Sequence, residues 1–219
     1  MAEQVNDILT PVNLLEVLDL TGKVTRGAIY LHEVVGIRHA VYSCTKPYFI
    51  TGIGDYATFD FPAALNIADK LAWRANGENK FLRMIHANME IYAPRDFWSH
   101  WDTYKIGVVA QSESTMHGLK KQGLNILQCE VGTTTTAVQN LNDVIASGAS
   151  ITEIKHNLPE GYLQSRVVNV SYAALQNMWY QRHVQETFGW WDYFLSTFTY
   201  FPYDQWIHKT DKSMTGRYR

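Results

Sequence analysis

Cysteine is scarce in this chain of 219 residues: Cys44 and Cys129 are the two present, and no CxxC pair exists. A disulfide framework and a cysteine-rich zinc site are therefore excluded, and a reducing, cytoplasmic setting is the simplest expectation. There is no basic surplus either. Nineteen Lys and Arg stand against twenty-one Asp and Glu, for a net charge of −2. A general nucleic-acid binder carries the opposite balance, so no nucleic-acid partner is expected, although a local basic pocket stays open. No run approaches about 18 consecutive apolar residues, so no membrane partner is expected. The opening "MAEQVNDILTPVNLLEVLDL" carries Glu3, Asp7, Glu16 and Asp19 without a basic start, unlike a signal peptide.

Several chemistry-bearing motifs are missing. His32, Glu33 and His39 lie close together, but the zincin spacing needs a second His at position 36, which is Gly. No protein-held metal is expected. "TGIGDYATFDF" matches neither GxGxxG nor GxxxxGKS, which excludes a Rossmann fingerprint and a P-loop. GxSxG is absent, and neither cysteine has the sequence context of a catalytic thiol.

What is present is a globular profile, 46% hydrophobic and 18% charged. One domain over residues 1–219 is expected, large enough to bury about 70% of its unfolded surface. Aromatics are abundant, with seven Trp, thirteen Tyr and nine Phe, many of them in "MWYQRHVQETFGWWDYFLSTFTYFPYDQW". They suit a core or subunit interface, and equally a platform for a planar ligand.

The pattern predicts a helix-rich α/β (α+β) fold with a central mixed sheet. "TPVNLLEVLDLTG" reads as a short helix stopped by Gly22, and "FPAALNIADKLAWRANG" as a helix with Pro62 in its first turn. "GAIYLHEVV" and "HAVYSC" fit strand or helix, "TKPYFITGIGDYATFD" a loop, and "IHANMEIYA" a buried strand before Pro94. "RDFWSHWDTYKIG", "STMHGLKKQG", "TTTTAVQNLNDVIASG" and "SITEIKHNLP" read as helices, the last with a capping-box start. "SRVVNVSYAALQNMWYQRH" reads as one long helix, with Val170, Ala173, Ala174, Asn177, Met178 and Gln181 on one side. "ETFGWWDYFLSTFTYFP" gives a further short helix, broken by Pro202.

Two segments carry candidate binding chemistry. In "QSESTMH" the backbone N–H groups at a helix start would sit beside Ser112, Glu113 and Ser114, which suits an anion or a polar base edge and equally plain capping. In "KHNLPEGYLQSRVVNVSYAALQNMWYQR", Lys155, Arg166 and Arg182 bring cations, and Asn177 and Gln181 share a helical face. An arginine fork suits a phosphate or a pyrimidine carbonyl; a salt bridge from Arg182 to Glu186 or Asp192 is the plainer alternative.

Together these segments resemble a divergent flavin-dependent thymidylate synthase, a family that carries RHRxxSxNExSxRY, then an L-P segment, then a helix with N-x4-R. "QSESTMH" stands where N-E-x-S-x-R-Y falls, and Ser114 matches the family serine. "KHNLP" is similar to R-x-x-L-P, with Lys155 in place of the arginine, and Asn177 and Arg182 keep the family's Asn and Arg. The likeness spans roughly Phe81 to Asp192. It is nearest to a phage-type branch with KFLRMI, FDTYK and SxSTMH; here "KFLRMI", "WDTYK" and "STMH" stand in that order. The RHR triplet falls on Tyr104, Lys105 and Ile106, and Met116 and His117 replace the later Arg and Tyr.

The resemblance implies a homotetramer with shared active sites, in the cytoplasm (the host's, if phage-encoded). It implies FAD as cofactor, NADPH and methylenetetrahydrofolate as co-substrates, and a pyrimidine deoxynucleotide, dUMP, methylated at C5 without an enzyme nucleophile. The residues it implies are Arg182 in catalysis; Ser112, Glu113, Ser114, His117, Lys155 and Arg166 at the substrate; and Tyr104, Lys105 and Asn177 at the cofactor. Alternatives are a methyl or hydroxymethyl transfer to another pyrimidine nucleotide such as dCMP, and a non-catalytic nucleotide-binding or oligomeric descendant of the fold.

Overall fold

The computed structural model describes residues 12–13, 26–48, 55–74, 77–183 and 189–209. The strand before Pro94 forms as the alternation predicts. Ala87, Met89, Ile91 and Ala93 are fully buried, while His86, Asn88, Glu90 and Tyr92 between them are half-buried on the other face. This strand, β3 (His86–Pro94), lies at the centre of a five-stranded sheet. Its partners are β1 (Val12–Asn13), β2 (Ala28–Val35), β4 (Val108–Ser112) and β5 (Leu163–Ser171), in the order β1-β2-β3-β5-β4.

Every neighbouring pair is antiparallel, which corrects the expected mixed sheet. The reason lies in the path of the chain. β3 and β4 run in the same direction and are joined through helix α3 (Arg95–Trp101), as in a parallel crossover. β5 then enters between them, pairing His86 with Ser171 on one side and Val108 with Val170 on the other. What would have been a parallel pair becomes two antiparallel ones.

Between β2 and β3 lie α1 (Ile37–Thr45), α2 (Phe61–Leu71) and a 3-10 turn, Glu78–Met84. "GAIYLHEVV" is thus strand and "HAVYSC" helix. Asp60 caps α2 by accepting from Ala63 N at 3.0 Å, and Pro62 occupies its first turn. After β4 come α4 (Thr115–Gln122), α5 (Thr135–Ala146) and α6 (Ile151–His156). The capping box of α6 forms as expected, with Glu153 accepting from Ser150 N at 2.8 Å. α7 (Tyr172–Arg182) follows β5, and α8 (Gly189–Ser196) carries the Trp190–Trp191 pair.

Three predicted elements come out differently. The long "SRVVNVSYAALQNMWYQRH" helix divides at Ser171: its β-branched first half is strand β5. Ser171 is extended (ψ 150°) and caps α7 by accepting from Ala174 N at 3.2 Å. The "RDFWSHWDTYKIG" helix stops at Trp101, where Thr103 N and Tyr104 N turn back to His100 O and Trp101 O. In the opening segment Val12–Asn13 is extended and pairs with Leu31 and Tyr30; the rest of that expected helix lies outside the described residues.

The aromatics form the core. Phe97 packs against Trp98, Trp101, Trp190, Trp191 and Phe194, with ring centroids 4.8–5.8 Å apart. Such edge and tilted pairs each add about 0.5–1.5 kcal/mol beyond burial. Trp98, Trp101, Trp191 and Trp206 are essentially sealed from solvent: Trp101 meets Trp98 edge-on and stacks with Trp191, and Trp206 packs on Phe81 and Tyr203. A second, smaller cluster joins α4, α5 and α6 through Leu119, Leu141, Ile154 and Leu158 at the opposite end of β5 from α7. Among the described residues, no helix is long and apolar enough to cross a membrane.

Candidate functional site

Where β5 passes into α7, the chain segment after α3 folds back over the junction. Ser171 N donates to Gly107 O at 2.8 Å, and Tyr172 N to Ile85 O at 2.9 Å. Gly107 has φ +73°, and a Cβ there would meet Ser171 Oγ at 2.3 Å, so glycine alone allows this approach. Between the three segments lies a cleft of about 480 Å³. That is within the roughly 300–1,000 Å³ of small-molecule sites. Thr103, Tyr104, Lys105 and Ile106 form one wall, Ala173, Ala174, Asn177 and Gln181 of α7 another, and Arg83 of the 3-10 turn closes the end.

Three residues singled out from the sequence, Tyr104, Lys105 and Asn177, thus meet at one cleft. A fourth, Arg182, stands beside it: its Nε donates to the Tyr104 hydroxyl at 2.9 Å, and its guanidinium lies 4.9 Å from the centre of the Trp191 ring. Of the two partners named in the plainer alternative for Arg182, Glu186 and Asp192, the first lies outside the described residues. Gln181 Nε2 donates to Asn177 Oδ1 at 3.1 Å, the contact their four-residue spacing predicts. Arg83 was not singled out, although it stands inside the intact KFLRMI motif, and that motif was the available signal.

The remaining site residues gather elsewhere. Ser112 pairs with Arg166 across β4 and β5, five residues from Ser171 and therefore about 17 Å along the strand. Glu113 is bound to the β5 backbone, donating from its N to Ser165 O at 2.9 Å and accepting from Ser165 N at 3.2 Å. Ser114 precedes α4 and is exposed. The side chains of Met116 and His117 lie outside the described residues. Lys155 is exposed on α6. The Arg166 guanidinium is engaged: it donates to Asp102 Oδ1 at 2.7 Å and lies 4.4 Å from the centre of the Trp98 ring. Ser112 and Glu113 thus lie against the first half of β5, away from its junction with α7, while Arg166 reaches Asp102, the neighbour of the cleft-lining Thr103.

Neither cysteine belongs to either group. Burial pushes the Cys44 thiol up to about 11 and raises that of Cys129, so both are protonated near neutral pH. Neither thiol lines the cleft. The cleft lining offers two cations, two amides and a tyrosine, with no carboxylate among the described residues. That donor set fits a phosphate-bearing ligand with a planar polar ring, as a flavin nucleotide or a pyrimidine nucleotide has.

No protein-family model matches the sequence, and no curated protein matches it. Solved structures do. One, the flavin-dependent thymidylate synthase ThyX of Helicobacter pylori complexed with FAD and dUMP, superposes with a TM-score of 0.67 at 13% identity, covering 82% of this chain and 97% of that one. A second structure of the same Helicobacter pylori enzyme with FAD and dUMP gives 0.67 at 12% identity, over 81% and 95%. At such identity the likeness speaks for architecture, and it agrees with the observed sheet and helices: the chain has the fold of the flavin-dependent thymidylate synthases.

Proposed function

We propose that this chain is an enzyme that methylates C5 of a pyrimidine deoxynucleotide, dUMP to dTMP, with FAD as cofactor. Methylenetetrahydrofolate is the carbon donor and NADPH the reductant. The observation that carries the reading is the contact of Arg182 with Tyr104, a residue of the cleft wall. It joins the segment standing in place of the RHR triplet to the helix that keeps N-x4-R, in a fold whose solved relatives are described with FAD and dUMP. Tyr104, Lys105 and Asn177 would hold the flavin, which when bound supplies hydride-transfer chemistry. Arg182 polarises the pyrimidine ring, and its place over Trp191 keeps the guanidinium oriented for that work. The protein contributes binding, orientation and electrostatics.

In this reading the protein is a homotetramer of one-domain chains. Ser112, Glu113, Ser114, His117, Lys155 and Arg166 of one subunit serve the substrate bound at a neighbour's cleft. The distance of Ser112 and Glu113 along β5 from the cleft supports a shared site.

A second reading is one-carbon transfer to another pyrimidine such as dCMP. Gln181 gives a hydrogen bond to Asn177 Oδ1, which leaves Asn177 Nδ2 as a donor and Gln181 Oε1 as an acceptor on the same wall. Uracil O4 needs the first and cytosine N4 the second. Titration of the purified protein with FAD tests the class: a bound flavin spectrum and quenched flavin fluorescence are expected. A protein that stays colourless in excess FAD is not a flavoenzyme, and is then the non-catalytic descendant. Growth rescue of cells lacking thymidylate synthase separates dUMP from dCMP.

A further inference from the structure

Arg83 is an exposed cation on a fixed backbone. Leu82 before it and Ile85 two residues later are fully buried, and Ile85 O holds the first residue of α7. His86 Nε2 lies 3.1 Å from Arg83 O, and His86 Nδ1 lies 2.9 Å from Asn169 Oδ1. Asn169 in turn donates to Asn88, and Asn88 to the Glu33 carboxylate. The turn is thus tied to β5 and β2, and the side chain projects from it to the cleft.

Lys105 reaches the same cleft from the other wall. Among the described residues, neither Arg83 nor Lys105 has an ion-pair partner. Asp102, which precedes that wall in sequence, is bound by Arg166. Two like charges are therefore brought to one cavity without a counter-ion among the described residues, an arrangement that a multiply charged anion relieves.

We propose that Arg83, seconded by Lys105, receives the phosphoryl group of the ligand, so that the cleft discriminates phosphorylated from unphosphorylated ligands. This rests on the reading of the cleft as a flavin and nucleotide site. Arg83 supplies the fork of donors that a phosphate accepts in pairs, and Lys105 a second point charge. The phosphoryl group belongs either to the flavin cofactor or to the pyrimidine nucleotide.

The test is a set of binding titrations on the full chain and on Arg83→Gln, with far-ultraviolet circular dichroism to verify the fold. FAD and riboflavin are followed by fluorescence; dUMP, deoxyuridine and inorganic pyrophosphate by calorimetry. Arg83→Gln is expected to weaken the phosphorylated member of a pair about tenfold, the worth of one charge-assisted contact, and to leave the unphosphorylated member unchanged. Arg83→Lys should restore part of the loss. A loss confined to FAD assigns the group to the flavin, and one confined to dUMP assigns it to the nucleotide. If FAD does not bind while dUMP or pyrophosphate binds in an Arg83-dependent way, the flavin reading fails and this proposal stands. Equal binding to both proteins, an equal loss for phosphorylated and unphosphorylated ligands, or no binding of any phosphorylated ligand at millimolar concentration overturns it.

Discussion

Tyr104 and Arg182, 78 residues apart, meet through a 2.9 Å hydrogen bond from the guanidinium Nε to the phenol oxygen. The bond spans the cleft segment and the end of α7, so it bears on both stability and ligand binding. Tyr104→Phe keeps the ring against Trp191 and removes the acceptor. A loss of about 1–2 kcal/mol is expected from this bond to a charged group, read as a lower urea midpoint at unchanged m-value. Ligand affinity should fall as well, since Arg182 loses one of the contacts that orient it. An unchanged midpoint would mean that the contact contributes nothing to the folded state.

Gly107→Ala meets two penalties. The left-handed backbone costs a non-glycine residue about 1–2 kcal/mol. The new methyl also overlaps Ser171 Oγ, the cap of α7. The variant should be destabilised by more than Gly77→Ala, whose Cβ would meet nothing within 4 Å at a similar φ of +80°. Comparing the two thermal midpoints separates the steric contribution from the conformational one.

The shared-site reading predicts complementation between subunits. Arg182→Ala at the cleft and Ser114→Ala before α4 should each abolish turnover. Mixed after partial denaturation and refolding together, they should regain activity, because some sites then combine an intact cleft with an intact β4–α4 segment. Mixtures that stay inactive while each variant folds and assembles would place all the working residues within one chain.

Alkaline pH should unfold the protein early. Cys44, Tyr162 and Tyr193 are raised to about 11, 12 and 12, each chiefly by burial. The unfolded chain loses these protons at lower pH than the folded one. Their contribution is therefore complete below the unfolded values of about 9 for Cys and 10 for Tyr, and is lost as pH rises through the folded ones. Urea midpoints should fall from about pH 9 upward, and Cys44→Ala should flatten the first part of that decline. The same burial predicts that neither thiol reacts with iodoacetamide in the native state at neutral pH.

Local chemistry was legible where one segment decides its own structure. The alternation in "HANMEIYA" reads as a half-buried strand because each inward residue is apolar, and the Ser150–Glu153 capping box marks its helix unaided. The same reasoning failed at Ser171. Val170, Ala173, Ala174, Asn177, Met178 and Gln181 carry helical spacing, but Val170 belongs to the strand and the spacing runs across the junction. Helical periodicity cannot see the cap between them. Of the candidate residues, Asn177 with Gln181 was a local inference. The meeting of Arg83 with Lys105, and of Tyr104 with Arg182, was not.

By itself the sequence determined which segments are strand or helix over most of the chain, and where several helices begin. It also carried a likeness to the flavin-dependent thymidylate synthases, whose architecture the chain has. Tertiary structure decided that β5 enters between β3 and β4, which makes the sheet antiparallel and draws residues 83, 104–107 and 171–181 around one cleft. The physical reason is that an apolar strand can satisfy its backbone hydrogen bonds against more than one neighbour. The choice among neighbours is made by packing between residues far apart in sequence, here by the aromatic core beneath the sheet and by the close approach of Gly107 to Ser171.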